Sequence, residues 1–335
     1  MWKELKKNQL VKYGAVATVS TIMPFVSQPG YVLLRKWVAG GICRSCVKLH
    51  GKTVVVTGAN TGIGKETARD MAMRGARVIL ACRDLNRGDS AAAEIRSSTG
   101  NSNVIVRQLD LASLTSVRQF SQDLLATETR LDILINNAGI MLCPKSLTAD
   151  GYESQFAVNH LGHFLLTNLL LDMLKASTPS RVVNVSSIAH QGGKIHFDDL
   201  NFDKKGFNPV TAYKQSKLAN LLFSRELARR TRGTGVTSYS LHPGVVRTKL
   251  WRYSQSKYPT LSAALSAPAW LLMKTARQGA QTTIYCAVTE GLEDKSGFYF
   301  SDCQVKEPSP EGKDDLVALR LWDVSTELVG LKNNN

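Results

Sequence analysis

One feature constrains this chain more than any other: a β-branched run that stops in a glycine-rich turn and passes at once into a helical pattern. Residues 52–57 read Lys-Thr-Val-Val-Val-Thr, which predicts a buried strand. Gly58-Ala59-Asn60-Thr61-Gly62-Ile63-Gly64 follows. The pattern beyond it is helical to about Arg74, and Gly75 is a helix stop. Residues 77–81, 104–109, 131–135, 181–185 and 236–241 are strand-like in turn, with amphipathic stretches between them. Strands that alternate with helices form a parallel sheet with helices on both faces, joined by right-handed crossovers. The expected class is therefore α/β, a doubly wound parallel sheet. No Gly/Ser/Pro-rich linker divides residues 51–335, so that stretch is expected to be one domain.

The turn after the first strand has the chemistry of a dinucleotide site. Glycines there allow a tight turn, close approach of the backbone to a pyrophosphate and close helix–strand packing, and the helix N-terminus adds free N–H groups and a positive dipole end. This is the Rossmann-type arrangement, with Gly58, Asn60, Thr61, Gly62, Ile63 and Gly64 as candidate cofactor contacts. An ordinary tight turn would look similar. The end of the second strand bears on which nucleotide. An Asp or Glu about 20 residues past the glycines binds the ribose 2′-OH of NAD. Here the sequence is Ala81-Cys82-Arg83-Asp84. Cys82 takes the acid's place, and the forked guanidinium of Arg83 suits a 2′-phosphate. That favours NADP(H), whereas a two-residue slip would bring Asp84 into play and NAD with it. Asp110, with Leu111 beside it, ends the third strand and could reach the adenine. Asn137-Ala138-Gly139 ends the fourth, where small residues suit the floor of a ligand crevice.

Tyr213 and Lys217 lie four apart in Thr-Ala-Tyr-Lys-Gln-Ser-Lys-Leu-Ala, within a helical pattern, so they share a helix face. A lysine there favours tyrosinate and lowers the phenol from its reference near ~10. Such a tyrosine can move a proton while a hydride passes to or from nicotinamide. Ser186-Ser187 ends the fifth strand, where a hydroxyl can bind a substrate oxygen. A lone Y-x-x-x-K is commonplace, so the set rather than the pair carries weight. His160, His163 and His190 have no metal-ligand company, and no metal is expected. They read as helix and loop residues, with His190 a candidate substrate neighbour. Asn184-Val-Ser186 matches a glycosylation sequon but falls inside a buried strand.

The N-terminal fifty residues form a separate region. Residues 1–52 hold nine Lys/Arg against Glu4, so +8 of the chain's net +15 sits there. No nucleic-acid-binding motif accompanies this charge, and no nucleic-acid partner is expected. Residues 13–34 are 22 positions without a charge, bracketed by Lys12 and Arg35-Lys36, though Pro24 and Pro29 interrupt them. That length could span a ~30 Å hydrocarbon core. A signal anchor, an interfacial segment and a cleaved signal peptide compete, and an uncleaved membrane anchor fits the flanks best. Cys43 and Cys46 have no second pair to make a zinc site, and their place just after the apolar stretch suits acylation. The stretch from Trp251 to Leu272, with Tyr253, Tyr258, Trp270 and Leu271, reads as a lid over an apolar substrate, a membrane-facing surface, or two core helices.

These pieces in this order resemble the short-chain dehydrogenase/reductase family, with T-G-x-x-x-G-x-G, N-N-A-G, an active-site Asn, a Ser and Y-x-x-x-K. The resemblance runs from about Gly51 to the C-terminus. It implies that Tyr213 is the acid/base, that Lys217 binds the nicotinamide ribose and tunes Tyr213, and that Ser187 binds the substrate oxygen. It implies that Asn159 completes a catalytic tetrad by ordering a proton-relay water. It also implies that Pro243, Gly244 and Thr248 form the nicotinamide-side loop. Within the family the chain is similar to the vertebrate retinol dehydrogenases, which reduce retinaldehyde with NADPH and bear an N-terminal membrane segment. The 26-residue spacing from Ser187 to Tyr213 and the insert bearing Phe197-Asp198-Asp199-Leu200 match that group. The resemblance implies an NADP(H)-dependent oxidoreductase acting on a retinoid or related lipid aldehyde at a membrane, most readily the endoplasmic reticulum, with a mitochondrial membrane as the alternative. A homodimer is a further expectation. A steroid or other lipid-carbonyl reductase is a second reading. A low-turnover NADP(H)-binding scaffold is a third, which the intact Tyr213, Lys217 and Ser187 disfavour.

Overall fold

The computed structural model describes residues 28–248 and 272–332. Strand β1 (Thr53–Thr57) is buried along its whole length and pairs in parallel on both sides. Val55 stands opposite Ile79 of β2 (Arg77–Cys82) and opposite Leu134 of β4 (Ile133–Asn136). The other strands are β3 (Val104–Gln108), β5 (Ser180–Val185), β6 (Val236–His242), β7 (Tyr299–Ser301) and β8 (Gln304–Lys306). The sheet order is β3-β2-β1-β4-β5-β6-β7-β8, parallel throughout except for β8. The chain reverses direction across the sheet between β1 and β4, which opens the crevice where such folds bind ligands. The hairpin β7–β8 adds two strands to the expected set. Each is three residues long, too short to show a period.

The helices cover both faces, and the strand side chains divide between them. Val55, Ile79, Leu134 and Val182 pack with Val117, Phe120 and Leu124 of α4 (Leu114–Thr127) and Phe164 and Leu165 of α5 (Gly162–Leu169). A short helix, α6 (Leu171–Ala176), follows α5. Leu218 and Leu222 of α7 (Pro209–Arg230) and Leu321 of α9 (Asp315–Leu328) complete that core. Val54, Val56, Val78 and Leu80 point the other way. They meet Ala68 and Met71 of α2 (Gly62–Met73), Ile95 of α3 (Leu85–Thr99) and Ile284 of α8 (Gln281–Val288). Alternation along one strand thus feeds two cores, and β1 reads as an unbroken hydrophobic run for that reason.

Upstream of the sheet lies α1 (Gln28–Ala39). Its twelve residues rise about 18 Å, short of the ~30 Å core of a bilayer. Among the described residues no helix is long and apolar enough to cross a membrane. Residues 13–27 of the candidate anchor lie outside the described residues, as do Trp251, Tyr253, Tyr258, Trp270 and Leu271. After α1 the chain runs without regular structure along the domain, and it is firmly attached. Arg74 donates to the carbonyls of Ser45 and Val47 at 2.9 and 2.8 Å. The Cys43 amide donates to Gln281 at 3.1 Å, and Leu49 is buried in the core.

Candidate active site

The crevice begins at the carboxyl end of β1. Gly58 and Gly62 both have positive φ, +64° and +60°, a conformation that favours glycine. A Cβ on Gly58 would stand 2.9 Å from the Cβ of Ala138, and one on Gly64 would stand 2.5 Å from Nδ2 of Asn137 and 2.6 Å from the Gly58 carbonyl oxygen. Any side chain there would fill the cradle. Thr61 caps α2 without a side-chain hydrogen bond, so the cap claims none of the first-turn amides, the groups that suit a pyrophosphate. Thr248 closes over this turn: a Cβ on Gly62 would lie 3.3 Å from its methyl group. The floor is fixed from beneath. Thr57 Oγ1 accepts from the amides of Asn137 and Ala138, both at 2.9 Å, and Asn137 Nδ2 donates to the Thr57 carbonyl. These residues fit a dinucleotide.

At the end of β2 the Cys82 side chain is buried and turned toward the glycine turn, whose Ala59 and Asn60 amides bond to it. Burial pushes its thiol up to about 11, so it stays neutral. Arg83 is exposed. Asp84 caps α3 by accepting from the Arg87 amide at 3.1 Å. Asp110 accepts from the Ala112 amide at 3.0 Å, and Leu111 is buried against Gly162. Beyond β6, Pro243 and Gly244 form a turn in which the Gly244 amide donates to His242 Nδ1 at 3.0 Å.

The reactive side chains meet between β5 and α7. Asn208 caps α7 and Pro209 occupies its first turn, the sequence signals of a helix start. One turn further, Tyr213 and Lys217 share a face: Lys217 Nζ lies 5.8 Å from the Tyr213 ring centroid. Both are buried. Lys217 Nζ donates to the Val185 carbonyl at 3.1 Å. The two serines after β5 divide their work. Ser186 donates to the Lys217 carbonyl at 2.6 Å, whereas Ser187 hydrogen-bonds Tyr213. Only the second is therefore free to meet a substrate oxygen.

The expected depression of the Tyr213 phenol is not what the structure has. Burial pushes it up to about 12, with the Ser187 hydrogen bond as a counterweight. The ammonium sits beside the ring, and burial pushes Lys217 itself down to about 8. Tyr213 is thus protonated at neutral pH, the state required to give a proton to a carbonyl.

Asn159 lies in a π-turn, Ala157–Leu161, just ahead of α5. Such turns gather at functional sites. Its side chain accepts from the Ile140 amide at 2.9 Å and donates to the Ile140 carbonyl at 3.0 Å and to Ser216 Oγ at 2.9 Å. It thereby ties the loop after β4 to α7. A Cβ on Gly139 would stand 3.2 Å from Asn159 Oδ1 and 3.4 Å from Lys217 Nζ, which brings all three together.

The histidines fall out differently from one another. His160 is a core residue, bonded to Ser325 and packed against Phe156, Phe164 and Phe223. His190, a candidate substrate neighbour on sequence, stands behind Ser187 instead. Its Nδ1 donates to the Ser187 carbonyl at 2.7 Å and its Nε2 accepts from the Ser309 amide at 3.2 Å. Asn184 of the sequon is buried in β5. Ser216 and His163 join the site without having been expected there. Ser216 follows Tyr213 by three positions, the only trace of its role in the sequence.

Fold and site together define a nicotinamide-dependent oxidoreductase. The short chain dehydrogenase family matches residues 52–259, and the chain belongs to that family. It is 57% identical over 303 residues to retinol dehydrogenase 12 of Homo sapiens, covering 89% of this chain and 93% of that one. It is 54% identical over 309 residues to retinol dehydrogenase 11 of Mus musculus, covering 92% and 96%. Among solved structures, an uncharacterized protein of Mycobacterium paratuberculosis superposes with a TM-score of 0.70 at 38% identity, over 88% of this chain and 98% of that one. A protein titled an NAD(P)-dependent gluconate 5-dehydrogenase of Beutenbergia cavernae, with bound NADP, superposes with a TM-score of 0.61 at 26% identity, over 76% and 96%.

Proposed function

We propose that this enzyme reduces a retinoid aldehyde with NADPH at a membrane surface, and runs in reverse when the cofactor ratio demands it. The observation that carries this reading is the buried pair Tyr213 and Lys217, one turn apart on α7, with Ser187 bonded to the phenol. The bound cofactor supplies the hydride. Ser187 and Tyr213 hydrogen-bond the carbonyl oxygen, and Tyr213 gives it a proton as negative charge develops there. Lys217 holds the nicotinamide ribose, and Asn159 orders the proton path behind it. The retinoid substrate is supported by the names of relatives such as retinol dehydrogenases 11, 12 and 13, at 53–57% identity. A panel of retinals, fatty aldehydes and steroids, each offered with NADPH and NADH, tests the reading. Faster turnover of a steroid than of every retinal would overturn the substrate class.

The NADP preference is supported by what surrounds the 2′ position. A neutral Cys82 thiol replaces the carboxylate that would repel a phosphate, and Asp84 is engaged as a helix cap. Arg83 is left to meet the 2′-phosphate. Arg83→Ala should then weaken NADPH roughly tenfold, the scale of one charge-assisted contact, and leave NADH nearly unchanged. Equal losses for both cofactors in a fluorescence titration would remove Arg83 from this role.

The membrane reading is supported by the N-terminal surface. Leu33, Trp37 and Ile42 are exposed at 66%, 78% and 64%, beside the exposed Lys36, Arg44 and Lys48. No Asp or Glu occurs between residues 5 and 65. Apolar and basic groups side by side suit an anionic bilayer. The full chain should stay in the pellet after carbonate extraction if it is anchored, and failure to bind anionic vesicles as well would overturn the membrane reading.

A further inference from the structure

We propose that His163 is a positioning residue of the active site, a neutral imidazole that holds the Asn159 carbonyl in register with the floor of the nucleotide crevice. The inference rests on the reading of Asn159 as part of the proton path, and adds a residue to it. His163 is buried at the start of α5. Its Nδ1 lies 3.0 Å from the Asn159 carbonyl oxygen and its Nε2 lies 2.8 Å from Thr57 Oγ1.

A carbonyl oxygen only accepts, so Nδ1 carries the proton. Nε2 is then a bare acceptor, and at 2.8 Å it is nearer to the Thr57 hydroxyl than the Ile135 carbonyl at 3.4 Å, so the hydroxyl donates to the ring. The lone pairs of that hydroxyl are taken by the amides of Asn137 and Ala138. Every proton and acceptor in the cluster is used. An imidazolium would bring an Nε2 proton against an oxygen with no lone pair left, so the network requires the neutral ring. The groups around it agree. Burial is the chief cause that pushes His163 down to about 4, and the nearby Lys217 ammonium pushes the same way. The neighbouring His160 is itself buried and uncharged.

The consequence lies in what is joined. Thr57 ends β1, Asn137 and Ala138 follow β4, and Asn159 sits in the π-turn against α7. The side chain of Asn159 is fully engaged by Ile140 and Ser216. Its carbonyl is held separately, by the His163 ring at 3.0 Å. Packing alone would ask only for a flat ring of this size. Both ring nitrogens are satisfied instead, which a phenyl group cannot reproduce.

Two polar replacements separate positioning from packing. In His163→Asn the amide nitrogen can stand where Nδ1 stood, so the bond to the Asn159 carbonyl is kept and the link to Thr57 is lost. In His163→Gln the longer side chain can offer its oxygen to Thr57 and loses the donor to Asn159. Turnover of retinaldehyde should stay within about threefold of wild type in the Asn variant and fall about tenfold or more in the Gln variant. The KM for NADPH should be nearly unchanged in both. Equal losses in the two variants, or the reverse order, would overturn the proposal, as would a loss seen only in the KM for NADPH. Tyr213→Phe is assayed alongside. An inactive Tyr213→Phe with equal His163 variants sinks the role of His163 alone, whereas an active Tyr213→Phe sinks the mechanism on which it rests.

Discussion

Tyr213→Phe should bind NADPH almost as wild type does and reduce retinaldehyde about 10²–10⁴-fold more slowly, the usual weight of general acid catalysis. The substitution removes one oxygen and one proton. The ring keeps its place in the core and beside Lys217. Ser187 loses its bond to the phenol but retains the Ala189 amide, which donates to its hydroxyl at 3.1 Å. No buried group is orphaned, so the stability cost should be about 1 kcal/mol. Lys217→Ala provides the contrast. The Val185 carbonyl would lose the ammonium yet keep Asn220 Nδ2 at 3.2 Å, so the fold should survive here too. Cofactor affinity and turnover should fall together, because this residue is assigned both the ribose and the charge. Ligand fluorescence and product formation, measured on the same samples, distinguish the two patterns. Near wild-type reduction by Tyr213→Phe would remove the phenol from the chemistry.

The elements that proved legible are those whose local physics and tertiary role agree. β1 is buried on both faces and therefore spells Val-Val-Val. Its turn must approach a ligand and therefore uses glycine, and α7 carries its reactive pair at the spacing a helix face imposes. The Ser186-Ser187 pair shows the limit of that reading. Two identical hydroxyls stand at one strand end, and only the packing of Ser186 on the Lys217 carbonyl separates them. His163 was less visible still. Its partners are 4 and 106 positions away, and a histidine inside a hydrophobic helix reads as a core residue until both nitrogens are traced. The phenol illustrates a different gap. A neighbouring lysine argues for a lowered pKa, but burial, a property of the whole fold, raises it, and the group that works against burial is Ser187. The strands β7 and β8 were missed because three residues carry no period.

The boundary at Gly51 was drawn where the strand–helix alternation begins, and the residues just before it give the second large prediction. A chain that starts at Gly51 should melt on the order of 10 °C below one that starts at Gln28. The shorter chain would lose Leu49 from the core, worth about 2 kcal/mol. Arg74 would lose the Ser45 and Val47 carbonyls and keep its ion pair with Asp70. Two bonds from a charged donor are worth about 3 kcal/mol together. At about 2–4 °C per kcal/mol for a domain approaching this size, those terms give the stated drop. The loss should also reach the cofactor. Gly40 packs on the ion pair between Lys274 and Asp302, and the Lys274 stem packs in turn on Gly244 in the loop after β6, the one proposed to face the nicotinamide. Removing residues 40 and 41 exposes that pair to water and frees the loop it supports. NADPH should therefore bind less tightly to the chain that starts at Gly51 than to the one that starts at Gln28, even well below the melting temperature of either. Calorimetry of the two truncations, with and without NADPH, measures both effects. Identical melting temperatures would mean that the strap is a tether and no part of the catalytic unit.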